Sequence, residues 1–198
     1  NTITRMAKTG DAVTLSFTSS EGLIRSNISV LIGNKTATLN TPVDGKTWLA
    51  TYTMLSTDTE GELPISISFR DSTGNVATSV TSTSDLSSVV FDRTVPTLTP
   101  VSILSNNTLN NQYAKTGDVV TLSFSASEGI TNVSATIRGA VATINHTSNT
   151  DWTATYTLKG TDTEGAVPFQ VFFQDSVGNL GVGVTSTTNS SSVLFDRT

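Results

Sequence analysis

Apolar and polar residues alternate one for one along Val13-Thr-Leu15-Ser-Phe17, and again along Val120-Thr-Leu122-Ser-Phe124. A period of two places successive side chains on opposite faces, so each run predicts a strand with one apolar face. The same reading predicts strands at Ile28–Ile32, Thr36–Leu39, Trp48–Met54, Leu63–Phe69, Val76–Val80 and Val89–Phe91. In Leu63-Pro-Ile65-Ser-Ile67-Ser-Phe69 the alternation is complete, with one face for a core and one for water. Gly33-Asn34 and Asp71-Ser-Thr-Gly-Asn75 separate such runs and read as tight turns, because Gly and Asn tolerate positive φ. No segment carries apolar residues at helical spacing.

The pattern is written twice. Ala7-Lys-Thr-Gly-Asp11 returns at Ala114–Asp118, and Trp48-Leu-Ala-Thr-Tyr-Thr returns as Trp152-Thr-Ala-Thr-Tyr-Thr. STDTEG ending at Gly61 reappears as GTDTEG ending at Gly165, Asp71-Ser-x-Gly-Asn75 as Asp175-Ser-x-Gly-Asn179, and FDRT ending at Thr94 as FDRT ending at Thr198. The offset falls from 107 at the first motif to 105 where Ile28 meets Val133, and to 104 from Trp48 onward. The two length changes fall in the polar stretches LIRSN and TPVDGKT, which marks these as surface loops. A repeat this long is a whole domain, not a solenoid unit. The chain is therefore all-β and divides into two modules, residues 1–94 and 95–198. About seven short strands in each, with turn signals between them, predict two tandem β-sandwiches of immunoglobulin type.

The register of the copies adds an expectation. Val95–Asn106 supplies an opening strand for the second module, and nothing equivalent precedes Asn1, so the first module is expected to lack that strand and the chain reads as a piece of a longer array. Such a module exposes an edge of unpaired backbone groups that invites pairing with another chain. A complete first strand formed within Asn1–Ala7 would contradict this.

Composition narrows the function. Threonine and serine are the most frequent residues, only 14% of the chain is charged and 36% is hydrophobic; the Thr/Val-rich alternation favours pleated, half-buried surfaces over disorder. A net charge of −5 argues against nucleic acid, whose binders carry basic patches. No apolar run approaches the length that spans a bilayer. The absence of cysteine excludes disulfides and thiolate metal sites, and the Thr/Ser/Asn-rich acidic composition fits an extracellular setting.

GDxVTLSFxxSEG, the W-x-A-T-Y-T strand, D-S-x-G-N and F-D-R-T-V-P-T-L-T together resemble the bacterial immunoglobulin-like modules strung along large surface proteins and adhesins. The resemblance covers essentially the whole chain. It implies a non-catalytic spacer segment on the cell surface or secreted, whose partners are adjacent modules of the same parent chain, with calcium at the junctions in some cases. The alternative is an adhesive module that binds a cell-surface glycan or protein through an exposed face.

Catalytic chemistry finds little support. The single histidine, His146, lies in a loop segment whose counterpart, Asn40-Thr41-Pro42, lacks one; no Gly-x-Ser-x-Gly elbow, HExxH, phosphate loop or EF-hand spacing occurs. Asn-x-Ser/Thr triplets at Asn27, Asn34 and Asn132 are ordinary in a Thr-rich chain. Trp48 and Trp152 each share a strand face with Ala and Tyr, which predicts core packing over sugar stacking. Phe172 points outward by alternation, where the first module has Ser68.

Loop carboxylates recur in both copies and form the one candidate constellation. The sandwich topology puts Asp11, Asp58, Glu60 and Asp92 at one pole of the first module, and Glu128 and Asp175 at the facing pole of the second. Calcium takes six to eight oxygens from flexible loops, so these residues are the expected donors of a junction site. The arrangement is similar to cadherin junctions, although DRTVPTLTP supplies one carboxylate where cadherin linkers supply several. The competing reading makes Asp71, Asp175 and the TDTEG segments ordinary turn formers.

Overall fold

The computed structural model describes residues 5–40, 42 and 44–197. The chain divides into two compact units, Asn1–Arg93 and Thr94–Thr198, each with its own hydrophobic cluster.

In module one the strands are β1 (Met6–Ala7), β2 (Ala12–Thr18), β3 (Ile28–Ile32), β4 (Lys35–Thr36), β5 (Thr38–Leu39), β6 (Thr47–Thr53), β7 (Gly61–Glu62), β8 (Ile65–Phe69) and β9 (Val90–Phe91). One sheet runs β2-β6-β5 and the opposing one β4-β3-β8, with β1-β9-β7 beside it. The expected strand at Thr36–Leu39 is split. Lys35–Thr36 pairs with β3 and Thr38–Leu39 with β6, so the chain changes sheets at the buried Ala37, whose N–H donates to Val30 O (2.9 Å). The expected strand Leu63–Phe69 starts later, at Ile65: Pro64 has no N–H for a ladder, and β8 pairs with β3 while β7, just before it, pairs with β9. Of Val76–Val80 only isolated bridges to Arg70 and Ile67 form. Met6–Ala7 forms β1, parallel to β9, and Arg5 before it accepts the Val90 N–H (2.9 Å); residues 1–4 of the expected test segment lie outside the described residues.

In module two the strands are β10 (Leu98–Ser105), β11 (Tyr113–Ala114), β12 (Val119–Ala126), β13 (Ile130–Ile137), β14 (Ala140–Val141), β15 (Thr143–His146), β16 (Asp151–Thr157), β17 (Gly165–Ala166), β18 (Phe169–Asp175) and β19 (Leu194–Phe195). The sheets repeat those of module one with one addition, since β10 joins β12 to give the order β10-β12-β16-β15. This is a two-sheet immunoglobulin-like sandwich, in which β11 pairs in parallel with β19 and the other pairings are antiparallel. Alternation delivers the cores: Val30, Ile32, Trp48, Met54 and Phe91 in module one, and Ile103, Leu122, Ile137, Leu158 and Phe195 in module two. No helix among the described residues is long and apolar enough to cross a membrane.

Candidate functional site

The candidate carboxylates sit in turns that the repeat builds twice. After β6 the chain turns at Leu55–Asp58, and Asp58, only 3% exposed, closes that turn by accepting the Leu55 N–H (2.7 Å). The Tyr52 hydroxyl donates to both of its oxygens (3.0 and 3.2 Å), and the Lys35 ammonium lies 3.9 Å away. Asp162 repeats the design with the Lys159 N–H (2.8 Å) and the Tyr156 hydroxyl. Glu60 accepts the backbone N–H of Arg93 (2.8 Å), and Glu164 that of Arg197 (3.2 Å); each guanidinium reaches back to a carbonyl of the same turn, Ser56 or Gly160. TDTEG and FDRT are thus two halves of one clamp between β9 and the turn before β7. Gly61 and Gly165, at φ of 112° and 113°, occupy the one place in that clamp where a side chain is strained. Asp11 closes a tighter turn through the Lys8 N–H (3.1 Å), as Asp118 does through Lys115 (2.9 Å). Asp92, half-buried at the end of β9, donates its N–H to Ala7 O (2.9 Å).

In module two the structure brings Glu128 and Asp175 together, with carboxylate oxygens within 4.8 Å of one another. Asp175 is 1% exposed. Its Oδ1 accepts the N–H groups of Val177 (2.8 Å), Gly178 (2.7 Å) and Asn179 (2.8 Å), and its Oδ2 accepts the Asn179 side-chain amide (2.8 Å). Asp71 builds the same turn at the surface with Thr73 and Asn75. Asn75 and Thr73 hold the Asp71 carboxyl down at about 2, and Thr47 and Lys46 hold Asp44 down to a similar value. Asp85 and Asp151 are lowered too, led by Ser87 and Ser125 respectively.

Two aromatic features set module two apart from module one, and the exposure of Phe172 is the one that alternation predicts. His146 stacks on Trp152, ring centroids 4.6 Å apart and tilted by 32°, beside a hollow of about 270 Å³ that also holds Asn145, Asp151 and Phe124. Trp152 is half-buried and its indole N–H donates to Asn149 O (3.2 Å), whereas Trp48 is fully in the core. Phe172 is 49% exposed, and a Cβ on Gly183 would stand 3.2 Å from its ring. Module one places a Ser68–Ser79 hydroxyl pair (2.9 Å) at the equivalent positions. Comparing both members of each cross-strand pair between the copies is the signal that finds this exchange.

The two buried-turn tyrosines set a pH limit. Desolvation, followed by the adjacent Asp58 or Asp162, pushes the Tyr52 and Tyr156 hydroxyls above their usual value of 10. A phenol whose pKa is raised on folding stabilises the fold below its unfolded pKa and loses that contribution as pH climbs through the folded value. Urea midpoints are therefore expected to hold below pH 10 and to fall above it, and the paired Tyr52→Phe and Tyr156→Phe variant to show a flatter alkaline slope. An unchanged slope would refute this origin. The lowered aspartates act in the opposite sense, so stability present above 3.8 drains as pH falls toward 2.

No protein-family model and no curated protein matches the chain. Among solved structures, it is similar to the Bacteroides ovatus mixed-linkage glucan utilization locus SGBP-B in complex with a mixed-linkage heptasaccharide (19% identity, 98% of this chain, 44% of that one, TM-score 0.27). It is also similar to titin Ig tandem domains A164–A165 (12%, 98% and 92%, TM-score 0.30) and to an ICAM-5 D1–D4 ectodomain fragment (14%, 97% and 45%, TM-score 0.36). The chain spans less than half of the first and third of these. At these identities and scores the likenesses carry no argument about function; the sandwich rests on the strand order above.

Proposed function

We propose that the two modules are a non-catalytic extender segment of an extracellular bacterial repeat protein, whose partners are further modules of the same kind. The observation that supports this reading is the use of the duplicated polar residues. Asp58 and Asp162, Glu60 and Glu164, and Arg93 and Arg197 each make the same bond within their own module. Repeated side chains spent on repeated turns serve the fold, and function in such strings lies in other domains. Glycan-array and whole-cell binding by the two-module chain tests this: no binding is expected, and saturable binding to one glycan or surface protein would overturn it.

Calcium is the finer part of the proposal. Glu128 and Asp175 supply hard oxygen donors close together on module two, the donor type calcium takes. Millimolar calcium is expected to raise the melting temperature by several degrees, on the scale of about 2.7 kcal/mol at a hundredfold excess over Kd, and Glu128→Gln to abolish most of the rise. No shift in the native chain would sink the calcium site while leaving the extender reading intact.

The adhesive alternative has one observation in its favour, the His146–Trp152 stack and its hollow, which module one does not repeat. Trp152→Ala abolishing a binding event in the glycan array would assign adhesion to that face.

A further inference from the structure

The outer face of the β14-β13-β18 sheet is where module two departs furthest from module one. Across its middle the register sets Ser134 beside Phe172, and the Val171–Val184 bridge sets Gly183 on the other side. The Phe172 ring leans over Gly183, since a Cβ there would stand 3.2 Å from it, and the small, exposed Ser134 leaves low ground at the ring's other edge. A knob and a hole therefore lie next to one another. Val141 shares the face through Thr136 and Gln170, and Leu180 shares it through Gln174. With Val182 between Leu180 and Gly183, these three are 85%, 71% and 81% exposed.

The exchange between the copies is concerted. Where module one carries Thr36, Ser68 and Thr78, module two carries Val141, Phe172 and Val182, and Arg70 gives way to Gln174. Three polar positions have become apolar and a cation has gone. Arg138, at the end of β13, is turned elsewhere: its guanidinium stands 5.7 Å from the centroid of the Phe195 ring and donates to the carbonyls of Thr163 and Ala166. Among the described residues, this face of module two presents no charged side chain.

We propose that this face is a self-association surface, on which a second copy of this chain docks face to face about a two-fold axis, each Phe172 set over the Ser134 of the other copy. An isologous contact needs a patch that complements itself, and a knob beside its own hole meets that need. Two sheets stacked this way lie about 10 Å apart, within reach of side chains that interdigitate from both. Charge selects the same occupant. Each chain carries a net −5, so two copies approach most readily where neither presents a carboxylate, and a basic partner finds nothing there to pair with. The exposed apolar side chains amount to an area on the order of a few hundred Å². That is below the roughly 800 Å² per partner of a stable complex, so the association is weak and reversible. In a string of such modules the contact repeats and adds as avidity; this last step alone rests on the extender reading.

Sedimentation equilibrium of the two-module chain, from micromolar to millimolar concentration, tests this. A reversible monomer–dimer equilibrium is expected, and it strengthens as salt is raised, because screening relieves the repulsion between acidic chains while no ion pair is lost. The double variant Phe172→Ser, Gly183→Ser installs the hydroxyl pair of module one. It is expected to weaken dimerisation at least about tenfold by removing the aromatic anchor, with the unfolding of module two, followed through Trp152, left in place. Ser134→Lys keeps the knob, fills the hole and sets like charges across the two-fold axis, and is expected to abolish the dimer as well. A chain that stays monomeric at millimolar concentration in high salt, a dimer untouched by both variants, or a dimer that salt weakens would each overturn the proposal. So would glycan-array binding by a monomeric chain that the Phe172 variant loses, which would assign the face to a sugar instead.

Discussion

Asp175→Ala is expected to destabilise module two by about 3 kcal/mol or more, because it strands buried donors whose acceptor cannot be replaced by water. Three backbone N–H groups converge on Asp175 Oδ1 and the Asn179 amide on Oδ2, beneath a residue that is 1% exposed. Asp175→Asn keeps an oxygen where Oδ1 stands and is expected to cost about 1 kcal/mol, for the charge and one bond. With one tryptophan in each module, urea titration followed through Trp152 reads the effect and Trp48 serves as the internal control. A cost below about 1 kcal/mol for the alanine variant would show that the turn is held by something else. The equivalent Asp71→Ala is expected to be milder, since Asp71 is only half-buried and water can take over its donors.

The second large effect is Gly181→Ala, expected to cost module two about 2 to 3 kcal/mol through overpacking. A Cβ at Gly181 would stand 2.1 to 2.7 Å from three ring atoms of Phe173, which is itself 3% exposed and fixed in the core. Neither the ring nor the β18 backbone has room to retreat in a close-packed interior. Module one carries Ala77 at this position and tolerates it, because its Phe69 is only half-buried. The double variant Gly181→Ala, Phe173→Leu is therefore expected to be less destabilised than the sum of its parts in a double-mutant cycle, and strict additivity would refute the contact as the cause.

Both predictions show where motif reading stops. The D-S-x-G-N motif occurs twice with the same spacing, yet Asp175 is sealed and Asp71 is not. One residue inside the motif marks the difference: Thr73 in the first copy is Val177 in the second, which is 4% exposed and closes over the turn. The Gly181–Phe173 contact is likewise invisible in the local pattern, because it joins a strand to the returning arm of its hairpin. The candidate site follows the same division. That TDTEG and FDRT recur was plain in the chain; that Glu60 and Arg93, 33 positions apart, meet in one clamp was not.

Alternation by itself determined that this chain makes strands, which side of each strand faces a core, and, through the repeat, that there are two sandwiches with equivalent turns. These are properties of neighbours one or two positions apart, where backbone geometry translates sequence directly into direction. Tertiary packing decided the rest: where one expected strand splits between sheets at Ala37, which copy of a turn is buried, and what covers β2. Val13, Leu15 and Phe17 carry the same alternation as Val120, Leu122 and Phe124, and only the presence of β10 against the second set turns a half-wet face into core. Burial depends on what packs opposite, and no run of residues contains its own partner.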